Sequence, residues 1–357
     1  MRALVARGAG EAPRVEEIEL PAPRPDEVRV EIRAAGVCHS DLSMVDGTLA
    51  PPYPLVLGHE AAGVVVEVGA GVGRVAVGDH VVLNWAPPCR RCWHCTHDEP
   101  WLCADNGSPA TARGRTADGG PLHVTLGLGA LAEQVVVPQH AVVPVPAGLP
   151  FEVAALLGCA VLTGFGAVHR TAAVAPGDAV AVIGLGGVGL SAVAAARAAG
   201  ADPVLAVDVS PAKADLALAA GATRFLPADG TVSRAVRALT DGRGVDHAVE
   251  CVGRAATIQD AWRATRRGGQ VTVVGMGARD ELVSLSALDI FHSARTLRSS
   301  VYGSSDPDRD LPGLAHAVLD GSLDLTPLIT DRVGLDEAPA AFERMARGEG
   351  ARTVVRP

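Results

Sequence analysis

The chain has 357 residues, 48% of them hydrophobic and 20% charged, enough apolar material for a sizeable core, which excludes a disordered chain. With 40 acidic residues against 31 basic ones, the formal charge of −9 has the wrong sign for a general nucleic-acid or anionic-membrane binder. At 3% aromatic residues there is neither a base-stacking platform nor an interfacial aromatic belt. Taken from its start, the stretch Met1–Glu17 meets charge before any apolar run of signal length, so no secretory signal is expected and a cytoplasmic location follows. Seven cysteines then read as metal ligands or free thiols, not disulfides. The first ~160 residues read as β-rich, a small antiparallel barrel or sandwich. Val28–Arg33 alternates apolar and polar residues, and Gly63–Val68 and His80–Leu83 are further strands, punctuated by glycine and proline clusters.

The rhythm changes near residue 165. Ala179–Ile183 is a short apolar strand, Val188–Ala199 an alanine-rich helix ended by Gly200, and Val204–Asp208 a second strand. A helix over Pro211–Ala220 follows, with Ser210 as its N-cap. Strands at Asp246–Glu250 and Gln270–Val274 flank a helix at Ala255–Arg266. Such alternation implies a parallel, doubly wound sheet. Two helical patterns, 308–320 and 335–347, lead to a last strand at Arg352–Val355. The uncharged run Ala179–Ala196 reaches the lower length limit of a membrane span, but its four glycines between Gly184 and Gly189 favour a buried strand, turn and helix. No membrane partner is expected.

Gly184-Leu-Gly-Gly-Val-Gly189 fits G-x-G-x-x-G, and the flanking strand and helix give it the context it needs. Gly184 permits the turn, Gly186 lets a pyrophosphate approach the backbone, and Gly189 lets the helix pack on the sheet. The helix start at Gly187 and Val188 would face the phosphates with free N–H groups. Asp208, 19 residues beyond Gly189, can accept from the adenosine ribose hydroxyls and would repel the 2′-phosphate of NADP. Lys213 could reach the ribose from the other side.

Cys89, Cys92, Cys95 and Cys103 place four thiols within fifteen residues, a spacing that can close a tetrahedral shell around Zn²⁺. An iron–sulfur cluster and plain free thiols are the competing readings. The last gap of seven residues disfavours the cluster. His94 and His97 in this lobe read as solvated. Cys38, His59 and Cys159 lie apart in the sequence. Cys2His is one known catalytic zinc set, but on spacing alone Cys159, like Cys251, reads as an ordinary buried cysteine.

Gly58-His59-Glu60-x2-Gly63-x5-Gly69-x2-Val72 resembles the signature of zinc-containing alcohol dehydrogenases of the medium-chain dehydrogenase/reductase family. The Gly36–Asp41 segment GVCHSD, the four-cysteine lobe, the glycine motif and Asp208 follow in that family's order, over essentially the whole chain. The resemblance implies a GroES-like β-barrel catalytic domain over 1–160, with a structural zinc lobe at 89–103, a Rossmann NAD-binding domain over 161–302, and a return to the catalytic domain over 303–357, with the active site in the cleft between them. It implies two zinc ions per chain and NAD. Cys38, His59 and Cys159 correspond to the catalytic zinc ligands, Glu60 to a nearby carboxylate, and Asp41 to the residue that orients the His59 ring. Ser40 corresponds to the hydroxyl beside the substrate oxygen, His39 and Arg352 to pyrophosphate contacts, and Thr163 and Val188 to nicotinamide neighbours. Leu49, Trp85, Thr125 and Leu126 align with pocket-lining residues. Ser43 stands where many members carry the histidine that ends the proton relay.

The implied reaction is hydride transfer between a primary alcohol or its aldehyde and NAD, with zinc lowering the alcohol's pKa and Ser40 passing its proton on. A thiol-dependent formaldehyde dehydrogenase is an alternative. Leu49 and Gly107 stand where the resemblance would need an acidic residue and an arginine to hold the carrier, which counts against the glutathione form, while Arg113 and Arg115 leave room for another carrier. A reductase of a conjugated or imine substrate is a further alternative, and an NAD-binding structural protein is the alternative outside enzymes. The family forms dimers and tetramers. The stretch between Cys103 and Leu128 resembles the longer loop of its dimeric branch, which favours a homodimer.

Overall fold

The computed structural model describes residues 1–106 and 112–357; Gly107 lies outside the described residues. The chain divides into two compact units, Met1–Cys159 with Asp306–Pro357, and Ala160–Ser305. The first begins with ten strands: β1 Arg2–Ala6, β2 Arg14–Glu19, β3 Glu27–Gly36, β4 Leu55–Val56, β5 Ala61–Val68, β6 His80–Leu83, β7 Gly114–Thr116, β8 Pro121–Val124, β9 Gln134–Pro138 and β10 Val142–Pro144. The second holds β11 Val180–Ile183, β12 Val204–Asp208, β13 Arg224–Pro227, β14 Val245–Glu250, β15 Thr265–Val273 and β16 Thr296–Ser299. The returning segment adds β17 Ile329–Gly334 and β18 Arg352–Arg356 to the first unit.

In the first unit, β1-β2-β7-β8-β4 close into a barrel, and a seven-stranded sheet runs β10-β6-β5-β3-β18-β17 with β9 also paired to β3. The architecture is mixed where the sequence suggested antiparallel strands only: β4 pairs β8 in parallel, and β17 pairs β18 in parallel. A core of Val, Leu and Ala side chains, including Leu4, Val30, Leu57, Val65, Leu83 and Leu131, fills this unit. Packing on the barrel and sheet gives about 25 cal/mol for each Å² of apolar surface buried, which is what holds these short strands.

The second unit is a six-stranded parallel sheet in the order β13-β12-β11-β14-β15-β16. All of β11 and β12 up to Val207 are apolar, as strands covered on both faces require. The helix Gly187–Ala198 follows β11 directly. Three expectations need adjustment. The helix begun at Ala255 ends at Ala264, because Thr265 is already extended (φ −75, ψ 140) and opens β15. The stretch after Ser210 starts with a 3₁₀ turn, Pro211–Lys213, and becomes α-helical only over Ala214–Ala219. Ser210 occupies the cap position, but its side chain makes no cap bond.

A longer apolar helix escaped the sequence reading. Phe151–Ala172 is long and apolar enough to cross a bilayer, yet 83% of its apolar window is buried inside the protein. It serves as a core helix, and its Leu157–Val161 turn is a widened π turn.

Candidate catalytic and structural metal centres

Three chain segments bring Cys38, His59 and Cys159 together in the first unit. Cys38 lies just past β3, at the start of the helix His39–Val45. His59 sits between β4 and β5, after Gly58, whose φ of +97 turns the chain. Cys159 lies in the π turn, and Gly158 beside it lets the helix press against β6, where a Cβ would come within 2.5 Å of the Leu83 carbonyl oxygen. The three donor atoms lie within 4.8 Å of one another, all buried. His59 Nε2 is 3.4 Å from Cys159 Sγ, and Nδ1 is 3.1 Å from Asp41 Oδ2. Asp41 is fully buried, and its other oxygen accepts the Gly58 N–H at 2.8 Å. This carboxylate holds the proton on Nδ1 and leaves Nε2 as a lone-pair donor facing the two sulfurs.

The surroundings are strongly anionic. Burial opposes a charged His59 ring, but Asp41 and the Cys38 sulfur outweigh it and hold the ring well above its usual pKa. Its bond with Cys159, aided by the Arg352 and His59 charges, pulls Cys38 well below the usual thiol range despite burial, while Cys159 is pushed well above it. A pocket that draws a proton onto a buried imidazole between two sulfurs will accept a cation in its place. Two sulfurs, one imidazole nitrogen and burial form a donor set that fits Zn²⁺ with one position open. Arg352, also buried, donates to the Val37 carbonyl at 2.9 Å and to Cys38 Sγ at 3.7 Å, and its Nε lies 3.6 Å from Glu60 Oε2. The Glu60 carboxylate is fully buried and fills the space where Gly36 has no side chain. Ser40 Oγ lies 4.0 Å from Cys38 Sγ, on the second residue of the helix that Cys38 precedes.

The remaining expected residues divide by unit. His39 is exposed beside Ser40, and Ser43 is half-buried. Leu49, Trp85 and Leu126 are partly buried against the main core. Thr125 is fully buried, and its hydroxyl donates to the Val56 carbonyl at 2.9 Å, so that group is committed to the barrel.

Cys89, Cys92, Cys95 and Cys103 also converge within 4.8 Å. Sulfurs 89 and 95 are 4.0 Å apart, and 92 and 103 are 3.9 Å apart. A zinc with Zn–S bonds of ~2.3 Å at the centre of a tetrahedron needs sulfurs ~3.8 Å apart, so the set fits the ion. Backbone N–H groups of Cys92, Cys89 and Asp105 point at these sulfurs, at 3.2–3.4 Å. Backbone N–H bonds from Cys95 and Ala104 lower Cys92 to about 6, whereas burial raises Cys95 to about 12. His94 is not simply solvated: it is half-buried, with Nδ1 3.0 Å from Glu99. His97 is exposed and stacks on Trp93 at 4.2 Å. The lobe is fastened by Arg90, which lies between two of its cysteines. Its guanidinium reaches Asp306 through two 2.6 Å bonds and Asp308 through a third. Sequence reasoning passed over Arg90, because its partners lie more than 200 residues away and no local pattern links them.

In the second unit, Gly184 has φ +90 and Gly189 passes so close to the Gly184 carbonyl that no Cβ would fit. Gly186 faces open space. Asp208 Oδ2 accepts the Leu185 N–H at 2.7 Å and Oδ1 the Ser210 N–H at 2.9 Å, tying the glycine turn to β12. Each oxygen keeps a lone pair for a further donor. Lys213 is buried, which lowers its pKa against the pull of Asp208. Thr163 is buried and Val188 half-buried.

Residues 24–147 match the family model of the alcohol dehydrogenase GroES-like domain, and residues 187–319 that of the zinc-binding dehydrogenases. An NDMA-dependent alcohol dehydrogenase of Amycolatopsis methanolica is 35% identical over 99% of this chain and 98% of its own. The S-(hydroxymethyl)glutathione dehydrogenase of Escherichia coli O139:H28 is 36% identical over 99% of both chains. Among solved structures, an alcohol dehydrogenase zinc-binding domain protein from Burkholderia ambifaria superposes with a TM-score of 0.94 at 34% identity, covering 99% of this chain and 98% of the other.

Proposed function

The chain belongs to the zinc-containing alcohol dehydrogenases of the medium-chain dehydrogenase/reductase family, and from that premise we propose that it transfers hydride between a primary alcohol, or its aldehyde, and NAD. The observation that carries this reading is the buried cluster of Cys38, His59 and Cys159, backed by Asp41. Zinc bound there supplies Lewis acidity that lowers the pKa of a substrate hydroxyl. Asp41 keeps His59 in the tautomer that can bind the metal, and Arg352 stabilises Cys38 as thiolate. Ser40, close to Cys38, takes the substrate proton and passes it toward solvent, with exposed His39 beside it and Ser43 where a histidine relay would otherwise end. Cys89, Cys92, Cys95 and Cys103 hold a second, structural zinc. Gly184, Gly186 and Gly189 cradle the pyrophosphate, and Asp208 selects NAD over NADP. His39 and Arg352 add pyrophosphate contacts, Lys213 a ribose contact, and Thr163 and Val188 border the nicotinamide. Leu49, Trp85 and Leu126 line the substrate pocket, with Thr125 behind them.

The enzyme acts in the cytoplasm as a homodimer. That none of the seven cysteines is joined in a disulfide supports the first. The outer edge of β16, without a partner among the described residues, and the exposed apolar residues around it support the second. A thiol-adduct substrate is the second reading, favoured by the likeness to the S-(hydroxymethyl)glutathione dehydrogenase.

Turnover of a panel of primary alcohols with NAD, with and without small thiols, and with NDMA as the acceptor, separates these readings. Oxidation of simple alcohols by added NAD is the expected result. Activity on formaldehyde only with a thiol present would establish the second reading, and turnover with NDMA alone would remove free NAD from the first. Ser40→Ala should cut kcat strongly while leaving NAD affinity nearly intact; an unchanged rate would take the proton path away from Ser40.

A further inference from the structure

Glu250 ends β14 fully buried, and no step of the proposed reaction uses it. Its position pairs with Ile183 on β11, the residue just before the glycine turn. A carboxylate in that position is costly unless donors surround it. Oε1 accepts the backbone N–H of Val252 at 2.9 Å, that of Gly253 at 2.9 Å and the Thr257 hydroxyl at 2.7 Å, and Oε2 lies 3.1 Å from the Gly253 nitrogen. These bonds fold the turn after β14 back over the strand end. Val252 then stands against Gly184, where an added Cβ would run into its side chain. Gly253, at φ +86, lets the turn after β15 settle on it, with a Cβ there coming to 2.5 Å from the Met276 backbone.

The sheet order locates this turn functionally. From β11 the chain moves one way to β12 and β13, then returns to β14 on the other side of β11. A dinucleotide lies across that switch, outside the carboxyl ends of the strands. Asp208 ends β12, on the adenosine side, and the glycine turn follows β11 at the pyrophosphate. The turn held by Glu250 is therefore on the nicotinamide side. Given NAD as the cofactor, as proposed above, we propose that Glu250 is a positioning residue for the nicotinamide half: it fixes Val252 and Gly253 as the floor on which that half of the dinucleotide rests.

A structural prop for the sheet would affect both halves of the cofactor alike, whereas a positioning residue affects one. Calorimetric titration of the purified zinc enzyme with NAD and with adenosine 5′-monophosphate tells them apart. Glu250→Gln keeps the shape but turns one acceptor into a donor facing backbone N–H groups. It should raise the Kd for NAD about tenfold and leave that for the monophosphate within about twofold. Thr257→Val, which removes one donor from the half-exposed side, should shift the same ratio in the same direction by less. Asp208→Asn should weaken both ligands. Equal weakening of both ligands in Glu250→Gln, or no weakening of either, would overturn the assignment. Should that variant fail to fold, an unchanged NAD-to-monophosphate ratio in Thr257→Val overturns it instead. Wild-type enzyme that binds the monophosphate but not NAD would sink the cofactor reading itself, a result distinct from either variant's.

Discussion

Asp41 Oδ1 accepts the Gly58 N–H and Oδ2 lies 3.1 Å from His59 Nδ1, so an asparagine there must offend one of them. Turning its amide N–H₂ toward His59 forces the proton onto Nε2, the nitrogen the metal needs; turning it the other way sets two donors face to face at Gly58. Asp41→Asn should therefore lower zinc affinity at the three-ligand site about 10–100-fold, the usual cost of losing such a partner. Zinc per chain should fall from two to one on mild chelation, with the four-cysteine ion retained, and unchanged stoichiometry would count against the ligand set. Asp208 carries a comparable weight in the second unit. Its charge would meet a 2′-phosphate as a like charge in a partly desolvated pocket, a juxtaposition that costs several kcal/mol. Asp208→Gly should weaken NAD, because the Leu185 and Ser210 N–H groups also lose their acceptor, and should relieve NADP. The ratio of kcat/KM for the two cofactors checks this, and equal values in the wild type would refute the selectivity given to Asp208.

The four-cysteine lobe shows what a short element can and cannot reveal. Its spacing is local, so the zinc fit is legible in the sequence; so are the β11 turn and the helix behind it, where strand, glycines and helix follow one another within twenty residues. Cys159 was not legible from its own surroundings, because the apolar helix around it hides a sulfur whose neighbour His59 is 100 residues away. Family resemblance supplied it, as it supplied Arg352, but the seat of Arg352 against Cys38 came only with β18 laid beside β3. Burial of Glu250 was equally silent, since an acid ending an apolar strand looks like any solvated strand end. Within the lobe, Cys92 sits near 6 while Cys95 sits near 12, so at pH ~7.5 the first is already thiolate and the second still protonated. Zinc uptake by metal-stripped protein should thus release fewer than four protons per lobe. Since the depressed Cys92 pKa favours the ionised form, uptake should weaken as pH falls through about 6, where that thiolate is lost. Proton release in a weakly buffered indicator solution measures both. Cys103→Ser should lower the Tm and empty the lobe, while the three-ligand site keeps its ion; loss of both ions together would mean the two centres are not independent.

At the scale of the whole molecule, the six-stranded sheet of the second unit ends at β16, whose four residues are all exposed and whose outer edge has no partner among the described residues. An open edge of this kind invites another strand. Large apolar side chains crowd the same region: Leu282 is 84% exposed, Phe291 79% and Leu288 67%, with Ile290, Leu297 and Val301 also exposed. A monomer seldom leaves so many apolar side chains of one segment in water. A second copy of this chain is the expected partner, because two identical edges related by a two-fold axis present the same residues to each other and the contact closes on itself as a dimer. Charge placed there should then act on assembly before it acts on chemistry. Leu297→Lys with Phe291→Glu puts two charges where apolar surface would be buried, and neither residue belongs to the metal centres or the glycine turn. Light scattering on the eluting protein should show the wild type at twice the chain mass and the double variant at the chain mass, with both zinc ions still bound. A variant that stays at the wild-type mass would move the interface away from β16, and a wild type that elutes as a monomer would leave this apolar segment without its proposed partner.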